Sequence, residues 1–230
     1  EEKAKQMLAE DALLAQAREF GVRHLAVGDA ALADDPRCDE ARSLVCHLPQ
    51  APEDAAASGN REASEPTFGV GPEAVAALAQ LPEADVVVNA LVGAAGLRAS
   101  YDALAAGKVL ALANKESLVV GGDLIMPLAA EVDAQRRAAG MAPATGPAGA
   151  LMPIDSEHGA IYQCLLGENP REVAKLWVTA SGGPFRGRTR DELTAITPAQ
   201  ALAHPTWNTG AKISIDSSTL MNKGLEVLEA

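Results

Sequence analysis

The chain has 230 residues, of which 48% are hydrophobic and 22% charged, and these ordinary globular proportions exclude wholesale disorder. Its formal net charge of −12 argues against nucleic acid as a partner, because nucleic-acid binding depends on clustered lysine and arginine side chains. The sequence has no uninterrupted apolar run long enough to span a bilayer, so we expect no membrane partner.

Strand-like and helix-like segments alternate through the first 150 residues. We predict helices over residues 3–19, about 36–48, 72–80, 93–106 and 116–137, and strands over 24–28, 67–70, 85–90 and 108–112. The run 85–90 (DVVVNA) is almost continuously apolar, which predicts a strand buried on both faces. This alternation predicts an α/β fold with a doubly wound, Rossmann-like parallel sheet. Residues 139–149 are rich in alanine, proline and glycine, which is typical of a linker or exposed loop.

The pattern changes after residue 150. We predict strands over residues 177–180 and 213–215, a short helix over 197–203, and a helix from residue 217 to 230. Asn222, Lys223 and Glu226 share one face of that last helix, because residues three and four apart are neighbours on a helix surface.

Asp155, Ser156 and Glu157 are adjacent in the chain. If this segment is extended, its two carboxylates lie on one side and suit Mg²⁺ or Mn²⁺, with Glu226 as a third ligand. Alternatively, the segment is a helix N-terminus, capped by Asp155 or Ser156, with Glu157 in the first turn. His158 is a weaker candidate ligand.

Two further segments are candidate ligand-binding loops. Ser181, followed by two glycines, is able to present a hydroxyl and backbone N–H groups to an anion, although many ordinary turns have this composition. Additional donors for the same anion are Ser217, Ser218, Asn222 and Lys223. The segment 114–117 (NKES) follows a predicted strand, at the end where open α/β sheets bind ligands, or it simply caps the next helix.

Six segments, in this order, resemble the motifs of one enzyme family, the 1-deoxy-D-xylulose 5-phosphate reductoisomerases. They are residues 89–97 (NALVGAAGL), 112–119 (LANKESLV), 153–158 (PIDSEH), 179–186 (TASGGPFR), 204–207 (HPTW) and 215–226 (IDSSTLMNKGLE). The resemblance is dense over residues 85–230 and loose over 1–84. It implies NADPH- and metal-dependent isomerisation and reduction of 1-deoxy-D-xylulose 5-phosphate to 2-C-methyl-D-erythritol 4-phosphate, in isoprenoid biosynthesis.

The resemblance also implies roles for individual residues. The metal ligands would be Asp155, Glu157 and Glu226, for Mn²⁺ or Mg²⁺, with Co²⁺ as an alternative. The catalytic set would be these three carboxylates with Lys115. The substrate-binding residues would be Lys115, Ser156, Glu157, Ser181, His204, Ser217, Asn222, Lys223 and Glu226. The cofactor contacts would be Asn114, Glu116 and Gly210, and a flexible flap would include His204 and Trp207.

The sequence departs from the family pattern in several places. It has no glycine-rich dinucleotide loop, no loop for the cofactor's 2′-phosphate and no C-terminal helical domain, and Thr209 stands where the flap usually has methionine. We therefore expect residues 1–150 to be a partial dinucleotide-binding domain and residues 151–230 a truncated α+β catalytic domain. A protein limited to these residues is expected to be inactive.

The resemblance implies a homodimer, and the three cysteines, which are odd in number and widely spaced, favour a reducing compartment and hence the cytoplasm. Two alternatives stay open. One is a different Rossmann oxidoreductase, and the other is a non-catalytic fragment that binds metal and sugar phosphate.

Overall fold

The computed structural model describes residues 2–47, 64–141, 149–180, 182–203 and 210–229, without the side chains of residues 2–10 and 170. Its helices are α1 (Glu2–Phe20), α2 (Pro36–His47), α3 (Pro72–Leu78), α4 (Gly96–Ala105), α5 (Glu116–Ala138), α6 (Ser156–Leu165), α7 (Pro198–Leu202), α8 (Ala211–Ser218) and α9 (Met221–Glu229). Its strands are β1 (His24–Val27), β2 (Thr67–Val70), β3 (Val86–Asn89), β4 (Val109–Leu112) and β5 (Leu151–Pro153). Over these ranges, no helix combines the length and the apolar character that crossing a membrane requires.

The strands form two sheets. Strands β1 and β2 pair in parallel, with His24 opposite Thr67 and Val27 opposite Val70, and the other sheet has the order β3-β4-β5. The predicted alternation of strands and helices over the first 138 residues is confirmed, because each predicted element of that region is present within a few residues of its expected bounds.

The chain forms two compact units, one of Glu1–Asn89 with Arg98–Leu110 and one of Ala90–Leu97 with Ala111–Ala230. In the first unit, helices α1 and α2 pack on the small parallel sheet. Ala17, Leu25 and Val45 form the buried centre of that packing.

The second unit contains most of the candidate site residues. Its long helix α5 has Ile125 fully buried, and it departs from helical geometry at Gly121. A Cβ at Gly121 would lie 2.5 Å from Leu97 Cδ1, so glycine is needed there for the 90–97 segment to approach the helix. Helix α9 packs against α5, which brings the two ends of this unit's sequence together.

Strand β3 corrects one prediction. Its Val86 and Val88 are 50% and 65% exposed, so the strand is not buried on both faces. Val86 and Val88 are two residues apart and therefore share one face of the strand, which is open to solvent, whereas all four residues of strand β4 are buried. A continuous apolar run therefore identified a strand correctly but not its burial.

Predictions for the last third were less accurate. Residues 177–180 are not a strand, and Trp177 is 80% exposed. The predicted strand 213–215 lies inside helix α8. An ion pair between Lys212 and Asp216, one turn apart, stabilises this helix.

The predicted last helix is interrupted at Leu220, whose φ of 60° ends α8 and allows α9 to begin in a new direction. Helix α7 is confirmed, with a capping box between Thr197 and Gln200.

Candidate active site

A fully buried carboxylate, that of Glu226 on α9, is the centre of the candidate site. Its Oε1 accepts hydrogen bonds from Asn222 Nδ2 at 2.7 Å and from Lys115 Nζ at 3.1 Å. Lys223 Nζ bonds its other oxygen and also lies 2.9 Å from Glu157 Oε1. Because burying a carboxyl group is costly unless it is paired and hydrogen-bonded, these donors compensate for the burial of Glu226.

Local helix geometry and tertiary packing both contribute to this arrangement. Asn222 and Lys223 lie one helical turn before Glu226, so the predicted common face of the three residues is confirmed. Lys115 comes from the position before the first residue of α5, and its Nζ also donates to Asn222 Oδ1 at 2.7 Å. Glu157 comes from the first turn of α6.

In this geometry, Lys223 and Glu157 each stabilise the charged form of the other. Burial alone would lower the pKa of Lys223, but its hydrogen bonds and its attraction to Glu226 and Glu157 raise that pKa above its ordinary value. Burial would likewise raise the pKa of Glu157, but the hydrogen bonds from Lys223 and Ser156 lower it overall. Both groups are therefore charged at neutral pH.

A second cluster of titratable side chains lies beside Glu157 at the start of α6. Asp155 is the N-cap of that helix and accepts a hydrogen bond from His158 N at 3.3 Å. The ligand atoms of Asp155, His158 and Glu229 lie within 4.8 Å of one another. Asp155 Oδ1 and Glu229 Oε2 are buried and have no hydrogen-bond partner within the described ranges. This arrangement brings two carboxyl groups and one imidazole close together in a largely buried place.

Glu229 has the most perturbed ionisation in this group. Burial, followed by the nearby charge of Asp155, raises its pKa to about 8. His158 Nε2 lies 2.9 Å from the carbonyl oxygen of Glu226 and 3.4 Å from Glu229 Oε2. Sequence reasoning missed Glu229, although its spacing of three residues from Glu226 places both on neighbouring positions of one helix.

The segment 155–157 adopts the helix-start alternative, with Asp155 as the cap, instead of an extended conformation. This conformation nevertheless brings its two carboxylates to the site. Glu157 is joined to Glu226 through Lys223, and Asp155 groups with His158 and Glu229. The assignment of Asp155, Glu157 and Glu226 as metal ligands stays a prediction.

A small cavity of about 30 Å³ adjoins Lys223. It is lined by Glu157, Ala180, Gly182, Ser217, Leu220, Asn222 and Lys223. Gly183 makes a close approach possible there, because its φ is +61° and a Cβ would lie 2.7 Å from the carbonyl oxygen of Ser217. The hydroxyl, amide and ammonium groups around this cavity suit a small anion. Ser156 is exposed and donates to Glu157 Oε2 at 2.9 Å.

The predicted cofactor contacts lie at the N-termini of α5 and α8. The Asn114 side chain is buried, and its Nδ2 donates to the carbonyl oxygens of Leu91 and Gly93 at 2.7 and 2.9 Å. Asn114 Nδ2 also lies 3.2 Å from Glu116 Oε2. Gly210 is the exposed N-cap residue of α8. Ser181, His204, Trp207 and Thr209 lie outside the described residues.

Comparison with protein families gives two matches. Residues 15–122 match the family model of 1-deoxy-D-xylulose 5-phosphate reductoisomerase, and residues 151–230 match the model of that enzyme's C-terminal domain. A reductoisomerase of this name from Nitratidesulfovibrio vulgaris (strain Hildenborough) is 54% identical over 165 residues, which are 72% of this chain and 37% of the relative. Its counterpart from Mycobacterium avium (strain 104) is 47% identical over 210 residues, 91% of this chain and 46% of the relative. The chain thus spans less than half the length of these relatives.

Solved structures give the same result for the fold. A structure of DOX-P reductoisomerase in complex with NADPH, fosmidomycin and magnesium aligns with a TM-score of 0.66 at 35% identity, over 96% of this chain and 48% of the other. The enzyme from Zymomonas mobilis in complex with NADPH aligns with a TM-score of 0.67 at 34% identity, over 96% of this chain and 47% of the other. These likenesses confirm the predicted α/β, Rossmann-like fold class.

Proposed function

The chain belongs to the 1-deoxy-D-xylulose 5-phosphate reductoisomerase family, and we propose that its protein converts 1-deoxy-D-xylulose 5-phosphate to 2-C-methyl-D-erythritol 4-phosphate with NADPH, in isoprenoid biosynthesis. One observation carries this proposal. The partly buried side chains of Lys115, Glu157 and Lys223 form a charged cluster around the fully buried Glu226. The cluster lies beside a cavity lined with anion-binding groups, which suits a substrate with both oxygen ligands and a phosphate.

The donor set fits a hard divalent cation. Mg²⁺ and Mn²⁺ prefer carboxylate oxygens. The buried Oδ1 of Asp155 and Oε2 of Glu229 accept no hydrogen bond from the described residues, so they are candidates for such an ion. We propose Asp155, Glu157 and Glu226 as the ligands that hold it, with Glu229 as a neighbouring carboxylate. When bound, the ion would act as a Lewis acid that stabilises negative charge on the substrate's oxygens.

The phosphate of the substrate is proposed to bind in the small cavity. Ser217, Asn222 and Lys223 line it. The family resemblance adds Ser156 and Ser181 as proposed donors. A charge-assisted hydrogen bond from Lys223 contributes more than a neutral one, so this lysine is the main phosphate contact. Binding of the phosphate orients the rest of the substrate toward Lys115 and the carboxylates. The binding energy of the phosphate, which is remote from the reacting atoms, is thus used to position them.

The cofactor is proposed to bind near the N-termini of α5 and α8. The oxygens of Glu116 are acceptors that suit an amide or hydroxyl group of NADPH. Among the described residues, no atom lies within 4 Å of the position that a Cβ at Gly210 would take. Because the side chain of Asn114 is buried and already hydrogen-bonded, its role is to hold the 91–93 turn and Glu116 in place. His204 and Trp207 are proposed to cover the substrate.

The experiment that tests this function measures loss of NADPH absorbance by the whole protein with substrate and Mn²⁺, omitting each component in turn. The proposed activity requires all three components. Oxidation of NADH without metal would favour a different Rossmann oxidoreductase. Calorimetric binding of Mn²⁺ and substrate without oxidation of NADPH would favour a non-catalytic binding protein.

A homodimer and a cytoplasmic location complete the proposal. Cys38, Cys46 and Cys164 form no disulfide, which favours a reducing compartment. The dimer rests on the family resemblance alone, and analytical ultracentrifugation of the purified protein tests it.

A further inference from the structure

Lys212, in the first turn of α8, bridges two elements of the second unit. Its Nζ lies 2.8 Å from Asp216 Oδ2 within α8 and 3.1 Å from Glu116 Oε1 at the start of α5. Neither the sequence motifs nor the proposed mechanism gives this lysine a role. Its two carboxylate partners differ, because Asp216 supports the helix locally whereas Glu116 is a proposed cofactor contact.

Glu116 is held from both sides. One carboxylate oxygen contacts Lys212, and the other lies 3.2 Å from Asn114 Nδ2. Asn114 is itself fixed by the carbonyl oxygens of Leu91 and Gly93, so it cannot follow Glu116 if that carboxylate rotates. The orientation of Glu116 therefore depends on Lys212, whose ammonium group is its ion-pair partner.

We propose that Lys212 is a positioning residue for NADPH, which fixes the carboxylate of Glu116 and compensates its charge. This inference rests on the proposed function. Without the lysine, Glu116 gains rotational freedom and an uncompensated negative charge beside the binding region of a phosphate-bearing cofactor. The pKa of Lys212 is raised, mainly by its hydrogen bond to Asp216, so the ammonium is charged throughout the physiological range.

The test measures NADPH affinity of the whole protein by fluorescence titration, without turnover. Because Lys212 is 47% exposed, we expect Lys212→Met to weaken NADPH only about fivefold. Lys212→Arg keeps the ion pair and should restore affinity to within about twofold of the parent. Asp216→Asn is the matched control, since it removes the other partner of Lys212 and should change NADPH affinity less than about twofold.

A double-mutant cycle separates positioning from a general structural effect. If Lys212 acts through Glu116, Lys212→Met should change NADPH affinity less than about twofold in a Glu116→Gln background. Mn²⁺ affinity, measured in parallel, should be the same in all variants. The same fivefold loss in both backgrounds, or no loss in either, overturns the inference. Failure of the parent protein to bind NADPH would instead overturn the proposed function.

Discussion

Replacing Glu229 by glutamine should remove a pH dependence of folding stability that the parent protein shows in the presence of a chelator. The pKa of Glu229 in the folded protein is about 8, well above its ordinary value of 4.5. Between these values the folded state holds a proton that the unfolded chain has released. Stability from this group is therefore fully present below pH 4.5 and is lost as the pH rises toward 8.

The magnitude follows from the size of the shift. Each pH unit in that window costs about 1.4 kcal/mol, so the free energy of unfolding should fall by up to about 4 kcal/mol between pH 5 and pH 8. Glutamine keeps the shape of the side chain but does not titrate. The Glu229→Gln variant should therefore lack this decline and be more stable than the parent at pH 8.

Urea unfolding, followed by circular dichroism at several pH values, measures how the free energy of unfolding changes with pH in the parent and in Glu229→Gln. Glu192→Gln is a suitable control, because Glu192 is an exposed carboxylate whose pKa the backbone and side chain of Thr189 lower. The Glu192→Gln variant should therefore keep the parent's decline in the free energy of unfolding as the pH rises. Parallel pH profiles for the parent and Glu229→Gln would refute the account of Glu229 as a carboxyl group kept protonated by burial and by Asp155.

Three other substitutions test the site. Glu226→Gln should lose more Mn²⁺ affinity than Glu226→Asp, because glutamine removes the charge of a proposed ligand. Calorimetric titration measures both affinities, and parental affinity in both variants would exclude Glu226 as a ligand. Lys223→Ala should weaken phosphorylated substrate by about 1.5–3 kcal/mol more than a non-phosphorylated analogue, whereas an equal loss for both would indicate a structural role. Gly183→Ala should destabilise by about 2–4 kcal/mol in thermal unfolding, because its Cβ would meet Ser217 O at 2.7 Å. Gly187→Ala, with φ +83° and open space, should cost only about 1–2 kcal/mol, and equal losses would contradict the close-approach argument.

The features that sequence predicted well are those set by neighbours along the chain. Helix and strand alternate in the first 138 residues because each segment's apolar period is local, and the common face of Asn222, Lys223 and Glu226 follows from helical spacing alone. The cap of α6 was one of two alternatives that local sequence left open. Only the three-dimensional structure decides between them, since both conformations use the same residues.

The features that sequence missed depend on distant residues. The exposure of Val88 depends on what covers its face of β3, and the raised pKa of Glu229 depends on burial and on Asp155, 74 positions earlier in the chain. Residues 213–215 alternate as isoleucine, serine and isoleucine, which fits a strand as well as a helix. The ion pair between Lys212 and Asp216 is a helical feature that a three-residue window does not contain.

Lys223 links the metal and phosphate parts of the proposed site. Its single ammonium group bonds both Glu157 and Glu226, and it also lines the small cavity. An anion in that cavity would draw the ammonium group toward itself, which would take Lys223 from Glu157 and leave Glu226 with Lys115 as its cationic partner. A divalent cation would supply the lost positive charge, so each ligand should favour the other, and by thermodynamic linkage the coupling must be equal in both directions. The carboxylates of Glu157 and Glu226 and the small cavity are therefore one electrostatic unit, with Lys223 as the group they share.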